Sequence, residues 1–357
     1  MNQAPQPSAR RWHQRHAFGL LTLVCLASAV IHLLQGSLSM GPMQVLAAFA
    51  EGVWPGLGGD QLTDTQYAVF WEIRLPRMLF AILVGSALAL SGATLQGLFR
   101  NPLADPGLIG VSSGGAAGAV LAMVLLAQLG LSLHILGAWL TPLLAMLGGL
   151  AATALAYRIA RLGKRTHVTT LLLAGVAINA FSGALVGIAL YMASDDQLRR
   201  LAFWMLGSLG RANWQMLLIL VPLVVVPMLL LQRYKRELNA FMLGESEAWH
   251  LGVPIQRLKW LLILLNAVMV GAVVAFSGLI GFIGLVTPHM IRLWLGPDHR
   301  SLLPASMLLG AILLLGADSL ARSLNPPSEI PIGILTALIG GPFFIWLLLR
   351  RKRTLTD

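Results

Sequence analysis

The sequence predicts an all-α, polytopic membrane protein of ten transmembrane helices, and three observations carry that prediction. Of 357 residues, 57% are hydrophobic and only 11% are charged, whereas a soluble domain carries about 25% charged residues. So few charges cannot cover a water-facing surface. Soluble enzymes and nucleic-acid-binding proteins are therefore excluded, in spite of a formal net charge of +11. The second observation is a series of apolar runs near the length of about 20 residues that crosses a bilayer as a helix. The third is the supply of 37 glycines and 18 prolines, which membrane bundles admit because neighbouring helices approach closely and satisfy broken backbone bonds.

Residues 1–15 (MNQAPQPSARRWHQR) are polar and basic, and an apolar run over 17–34 follows. A secretory signal begins this way, but no small-residue cleavage site follows at 35–41, so the run is read as a retained first span. The further spans are expected at 78–98, 107–129, 133–156, 169–192, 214–232, 258–276, 279–295, 302–322 and 332–349. Around 277–284 (SGLIGFIG) the pattern either breaks one long segment or joins two short ones. The longest loop, about 35–77, leaves no room for a soluble domain. The chain therefore reads as one transmembrane domain over 1–357, with cytoplasmic tails at 1–16 and 350–357 and a cytoplasmic segment at 233–257.

Charge placement tests the count. Basic clusters occur at Arg10/Arg11/Arg15, at Arg158/Arg161/Lys164/Arg165, at Arg233/Lys235/Arg236 with Arg257/Lys259, and at Arg350/Arg351/Lys352/Arg353. Ten spans with both termini inside put all four on the cytoplasmic face, as the positive-inside rule requires. Nine or eleven spans would put the last cluster outside. The opposite face holds Asp60, Asp64 and Glu72 in the first outer loop and Asp195 and Asp196 in the third. That third loop contains an amphipathic stretch (DQLRRLAFWMLGSL) too polar to span, expected to lie at the outer surface.

No catalytic constellation is visible. The histidines His13, His16, His32, His134, His167, His250, His289 and His299 are scattered without metal-ligand spacing, Cys25 is the sole cysteine, and no Walker-type loop occurs. No metal and no permanently bound cofactor are expected. The glycines of GVSSGGAAGAV (110–120) lie in wholly apolar surroundings, which reads as close helix contact rather than phosphate binding. Arg74 and Arg77 frame Leu-Pro at the outer start of the second span, and Arg322 lies at the outer end of the ninth. They are either interfacial anchors or docking points for carboxylates of an external partner. The stretch 239–254 (NAFMLGESEAWHLGVP) reads as a connecting loop or as a short inner-face helix, stiffened by a glycine on each flank and pushed by a cytoplasmic partner. Asp318 is an intramembrane acid, read as hydrogen-bonded to a neighbouring helix.

The stretch EIRLPRMLFAILVGSALALSGATLQGLFRNPLADPGLIGVSSGG (72–115) resembles the signature of permease subunits of ATP-binding-cassette importers for iron–siderophores, haem and cobalamin. So do LLLAGVAIN (171–179), FWMLGSLG (203–210), MLGESEAWHLGV (242–253), SGLIGFIGLVTPHMIRL (277–293), GPDHRSLLPASMLLGA (296–311) and EIPIGILTALIGGPFFIWLLLRR (329–351). The first seventy residues match only in layout. The resemblance implies a type II importer permease: a homodimer of ten-helix subunits in the bacterial inner membrane, with a path along the two-fold axis. A cytoplasmic ATPase dimer that uses ATP would lie beneath it and a periplasmic substrate-binding protein above; the chain itself would not be an enzyme. Matched residue by residue, Arg74, Arg77 and Arg322 fall on the binding-protein docking positions. Leu243, Gly244, Glu245, Ser246, Glu247, Ala248, Leu251 and Gly252 fall on the ATPase-coupling segment. Leu103 and Val168 fall on the inner gate, although Val168 stands where the matched family member has threonine.

The expected cargo is an iron chelate. FWMLGSLGRANW (203–214) is most similar to haem permeases, with a ferric siderophore or cobalamin as the alternative. The spans expected to line the path offer mostly Ala, Gly, Leu, Ser and Thr, which suits a bulky shielded cargo better than a bare ferric ion seeking oxygen or imidazole ligands. A secondary transporter working without ATP is the rival class. It calls for ionisable residues at a midplane site, for which Asp318 is the clear candidate. A membrane-bound enzyme calls for a polar catalytic cluster at one depth, which the sequence lacks.

Overall fold

The computed structural model describes residues 7–36, 38–54, 56, 62–125, 137–163, 165–324 and 328–356. Asp60, Lys164 and the expected junction of the third and fourth spans (126–136) lie outside the described residues. The helices are α1 (Pro7–Leu34), α2 (Pro42–Val53), α3 (Asp64–Phe99), α4 (Val111–Val120), α5 (Gly137–Ala160), α6 (Val168–Met192) and α7 (Asp195–Met205). They continue with α8 (Trp214–Arg233), α9 (Lys235–Leu243), α10 (Glu245–His250), α11 (Ile255–Ser277), α12 (Ile283–Leu295), α13 (His299–Ser323) and α14 (Ile332–Thr356). A hairpin of β1 (Arg161–Leu162) and β2 (Arg165–Thr166) joins α5 to α6, pairing Arg161 with Thr166 and Leu162 with Arg165.

Over the described residues, each expected span falls on a helix or overlaps one. Among the described residues, seven helices are long and apolar enough to cross a bilayer, namely α1, α3, α5, α6, α8, α11 and α13, while α4 and α14 hold shorter apolar stretches. The thirteen residues of α12 rise about 20 Å, short of the roughly 30 Å of hydrocarbon. The chain between α11 and α12 resolves the ambiguity around 277–284 as a break: α11 ends at Ser277, Gly278 takes φ +71, and α12 starts at Ile283 rather than 279. Non-helical backbone at that depth is tolerable where protein covers it, and Ser208 donates from its backbone to the Ser277 carbonyl at 2.8 Å.

The long α3 is apolar all round and forms the axis of the subunit, as a fully apolar helix must when it is buried on every side. From Leu75 to Phe99 nearly every side chain is buried, with α13, α12, α11, α8 and α1 packed around it. After a first α-helical turn over Asp64–Ala68, Val69–Arg74 is a π turn, and the Leu75 N–H reaches back to the Phe70 carbonyl. Pro76 explains the irregularity, since proline has no N–H for the preceding turn and its ring crowds the carbonyl there.

The glycine-rich α4 packs on α5 at backbone distance. A Cβ added at Gly118 would lie 2.0 Å from the Leu144 carbonyl oxygen, and one at Gly114 would lie 2.4 Å from that of Gly148. The run over 110–120 therefore serves close helix contact, as the sequence suggests. The amphipathic stretch expected at the outer surface is α7, started by a capping box between Ser194 and Gln197 and burying Gln197, Leu201 and Trp204 on one face. By contrast α2, with Pro42 at its first turn and Val45 and Ala48 buried, is a helix where the sequence pattern suggests a loop.

Alternating helices give the bundle two distinct ends. One end gathers the close of α1, the start of α3, α7 and the close of α13. The other gathers the hairpin, α9, α10 and the start of α13, where Asn239 donates to Asp298 at 2.7 Å.

Candidate functional site

Arg74, Arg77 and Arg322 do come together at the first end, but they are turned into the fold. Arg74 is 2% exposed. Its guanidinium donates to the carbonyls of Leu33 at 2.7 Å and Leu34 at 3.2 Å, and to that of Leu38. The first two are open carbonyls at the C-terminus of α1 and the third belongs to the segment that follows it, a set which a cation with several donors satisfies well. Arg322 does the same work from α13, donating to the carbonyls of Gln35 at 2.9 Å and His32 at 3.0 Å.

Arg77 is the centre of an ion-pair network. Its Nε and one terminal nitrogen grip both oxygens of Asp318 at 2.9 Å, the fork geometry that suits a carboxylate. Its terminal nitrogens also reach Glu329 at 2.7 and 2.8 Å. His32 Nε2 lies 2.8 Å from the same Asp318 oxygen, and Arg322 Nε lies 3.4 Å from it. Asp318 is thus the shared anion of three helices, α1, α3 and α13. This agrees with its reading as hydrogen-bonded to neighbours, although the partners are charged and more numerous than a single bond.

None of the three guanidinium groups stands bare at the surface. Buried guanidinium groups must be paired, and here carbonyls and carboxylates of the same chain pair them. Arg322 nevertheless lines an open cleft of about 670 Å³ together with Gln35, Ser39 and Met40, and the Glu329 side chain is 41% exposed. Sequence reasoning missed Glu329 and His32, and no local signal ties either to Arg77. Beside this network, Trp71 stacks on Trp214 with centroids 6.3 Å apart. The Trp71 indole N–H donates to the Ala48 carbonyl of α2, and that of Trp214 donates to the Trp71 carbonyl, both at 2.9 Å.

The other end presents the predicted short helix. Gly244, at φ +135 and ψ 156, separates α9 from α10, and Gly252, at φ +83, follows α10. Only glycine adopts the Gly244 conformation without strain, and a Cβ there would sit 2.1 Å from the Glu247 carboxylate. Ala248 is fully buried and anchors α10. Glu245, Ser246 and Glu247 occupy its first turn. Leu243 is 68% exposed, Trp249 66% and Leu251 64%. This unpartnered apolar rim around a stiff, glycine-bounded helix is a surface of the kind that marks an interaction site. Trp249 was absent from the expected set, although an exposed tryptophan is a strong interface residue.

Leu103 and Val168 both lie at this end. Leu103 is half-buried in the turn after α3, where its N–H donates to the Asn101 side chain at 3.0 Å. Val168 is half-buried as the first residue of α6. One stands in a turn and the other at a helix start, and among the described residues no hydrogen bond joins the two.

With this geometry in hand, comparison with known proteins is decisive: residues 21–350 match the FecCD transport family. The chain belongs to the FecCD transport family. This FecCD subunit is 45% identical over 339 residues to the hemin transport system permease protein HmuU of Yersinia pestis, covering 94% of this chain and 95% of that protein. It is 42% identical over 348 residues to the vitamin B12 import system permease protein BtuC of Klebsiella pneumoniae, covering 97% and 96%. A solved structure of a metal-chelate type ABC transporter in an inward-facing conformation superposes with a TM-score of 0.79 at 37% identity, covering 94% of this chain and 99% of that one. The FecCD subunit therefore has the ABC importer permease fold, and its relatives are transport proteins of that class.

Proposed function

We propose that this chain is the translocation subunit of a binding-protein-dependent importer in the bacterial inner membrane, that it works as a homodimer, and that its cargo is haem. The observation that carries the proposal is α10. A six-residue helix flanked by glycines, with Leu243, Trp249 and Leu251 exposed around it, is built to receive force from a partner rather than to cross lipid. In this reading a cytoplasmic ATPase dimer seats on α10, and hydrolysis belongs to that partner. The hairpin and α10 end, with Arg161, Arg165, Arg233 and Arg257 at its surface, faces the cytoplasm.

The homodimer accounts for the faces that one subunit leaves bare. On α6, Leu173, Val176, Phe181, Ile188 and Tyr191 are exposed, and on α14 so are Leu338, Ile339 and Trp346. The binding protein docks at the opposite end, over Glu329 and the cleft lined by Arg322. Its carboxylates would compete for Arg77 and Arg322 with those already in place, while Arg74 holds the surrounding loop. Leu103 and Val168 form the inner gate.

The haem assignment rests on the 45% identity to HmuU, against 42% to BtuC. Against a secondary transporter, the buried ion pairs among the described residues lie at the two ends of the bundle and not at a midplane site. Co-purification and vesicle uptake test the proposal. Subunits purified with their ATPase should take up haem from a loaded binding protein only when ATP is inside the vesicle or otherwise on the ATPase side. Uptake indifferent to ATP, or failure to recruit an ATPase, refutes the importer; preference for cobalamin or a ferric siderophore refutes the cargo alone.

A further inference from the structure

Lys259 is one of the most completely buried charged side chains in the protein, at 2% exposure, and neither the docking nor the coupling assignment uses it. It sits one turn into α11, and its ammonium group joins two elements that touch nowhere else by hydrogen bond among the described residues. Nζ donates to the Thr166 carbonyl at 2.8 Å and to one carboxylate oxygen of Glu245 at 2.8 Å, with the other oxygen of that carboxylate 2.7 Å away in the ion pair. The ammonium thus holds one acceptor on each element, a backbone carbonyl on one side and a carboxylate on the other. The Phe241 ring of α9 closes over the group, with its centroid 5.9 Å away.

Thr166 is gripped at a second point. Its N–H donates to the Gln256 side chain at 2.8 Å. Gln256 and Lys259 are three residues apart on α11 and so share one face, and together they clamp both sides of one residue. The clamped strand has little support of its own, since the hairpin pairs only two residues on each side and so short a ribbon is marginal alone. Two residues beyond Thr166 stands Val168, the first residue of α6. At the far side of the ammonium, Glu245 is the first residue of α10.

We infer that Lys259 is the joint through which displacement of α10 reaches the hairpin and Val168, a positioning residue for transport. The inference rests on the reading of α10 as the ATPase lever and of residue 168 as part of the gate. Lysine suits such a joint, because a point charge on a flexible stem keeps both contacts while the two elements shift together. Coupling of this kind requires an element whose arrangement both sites bias, and a shared ammonium supplies one.

The test uses the reconstituted complex of permease, ATPase and binding protein. Lys259→Met should lower cargo transported per ATP hydrolysed by about tenfold, and Lys259→Arg, which keeps donors for both acceptors, should recover most of it. Spin labels at the exposed positions Leu162 and Trp249 report the joint directly. In the unmodified joint their separation should hold as ATP is bound, and in Lys259→Met it should change or broaden. A purely packing role would lower thermal stability without altering that response. Should Lys259→Met fail to assemble, Glu245→Gln breaks the pair from its solvent-accessible side and decides the matter by the same ratio and distance. Wild-type transport per ATP in whichever variant assembles, with an unchanged label separation, overturns the inference. Cross-linking of Leu251→Cys to the ATPase separates the two failures: no cross-link sinks the lever reading, whereas a cross-link with intact coupling in Lys259→Met sinks the joint alone.

Discussion

Replacing Asp318 with asparagine removes one negative charge and almost no volume from the network at the arginine end. Asp318 is 1% exposed, grips Arg77 through two bonds of 2.9 Å, meets His32 at 2.8 Å and has Arg322 at 3.4 Å. Removing one partner of a buried ion pair leaves an uncompensated charge and costs about 3–5 kcal/mol. Arg77 keeps Glu329, and asparagine keeps one acceptor oxygen, so the lower figure applies, about 3 kcal/mol. Glu329→Gln is the internal comparison. That side chain is 41% exposed, and water can replace it, so its loss should cost about 1 kcal/mol or less. At roughly 2–4 °C per kcal/mol for a sizeable domain, Asp318→Asn should melt about 6 °C or more below the parent protein, and Glu329→Gln within about 4 °C of it. Thermal unfolding of the detergent-purified subunit, followed by loss of the monodisperse size-exclusion peak, measures both. Equal shifts in the two variants, or none in Asp318→Asn, would refute the claim that one buried carboxylate holds α1, α3 and α13 together.

Other consequences are open to the same measurement. Arg74→Met leaves the carbonyls of Leu33, Leu34 and Leu38 without their donor and should cost about 2 kcal/mol; Arg74→Lys should recover only part, because an ammonium lacks the guanidinium fork. Gly118→Ala drives a Cβ to 2.0 Å from a backbone carbonyl oxygen, which no rotamer change relieves. It should cost about 3 kcal/mol or abolish expression, while Gly19→Ala, with nothing within 4 Å, should lie within about 0.5 kcal/mol of the parent. Gly244→Ala forces a side chain into a backbone region open essentially to glycine, at about 1–3 kcal/mol of local strain. Because the strain falls at the junction of α9 and α10, it should lower ATPase recovery in co-purification more than it lowers the melting temperature.

Hydropathy made the spans legible because lipid leaves a helix few alternatives, and the same reasoning missed what lipid does not dictate. The start of α3 lies at Asp64 rather than 78, since Glu72 and Arg74 depress the local hydropathy although Thr63 and Gln66 form a capping box. Apolar Val45 and Ala48, three apart behind Pro42, were the available signal for α2, too weak beside a loop of some forty residues. The glycines around α10 were readable because each changes backbone freedom where it stands. Lys259 was not, since its role depends on Thr166 and Glu245 meeting in space, and by sequence it counts with a cytoplasmic basic cluster although it is buried.

The arginines show why position along a membrane is weaker information than pairing. Arg74 and Arg77, three apart at a helix start, and Asp318 and Arg322, four apart on one helix, are consistent with cations displayed to a partner and equally with a helix face tied down. What separates the two is the contact between Arg77 and Asp318 across 241 residues of chain, which no local spacing encodes. Once that contact exists, the two cations nearest the surface already have carboxylate company. On the proposed docking face a partner's acid must then displace Glu329 from Arg77, or enter beside Arg322, instead of meeting a bare charge. Its affinity reads as a difference between two ion pairs, and a difference of that kind is small for exposed groups. Removing the competitor by Glu329→Gln should therefore tighten binding-protein association, most clearly at low salt where surface pairs are least screened. Weaker association in that variant would mean that Glu329 itself contacts the partner and that Arg77 serves the fold alone.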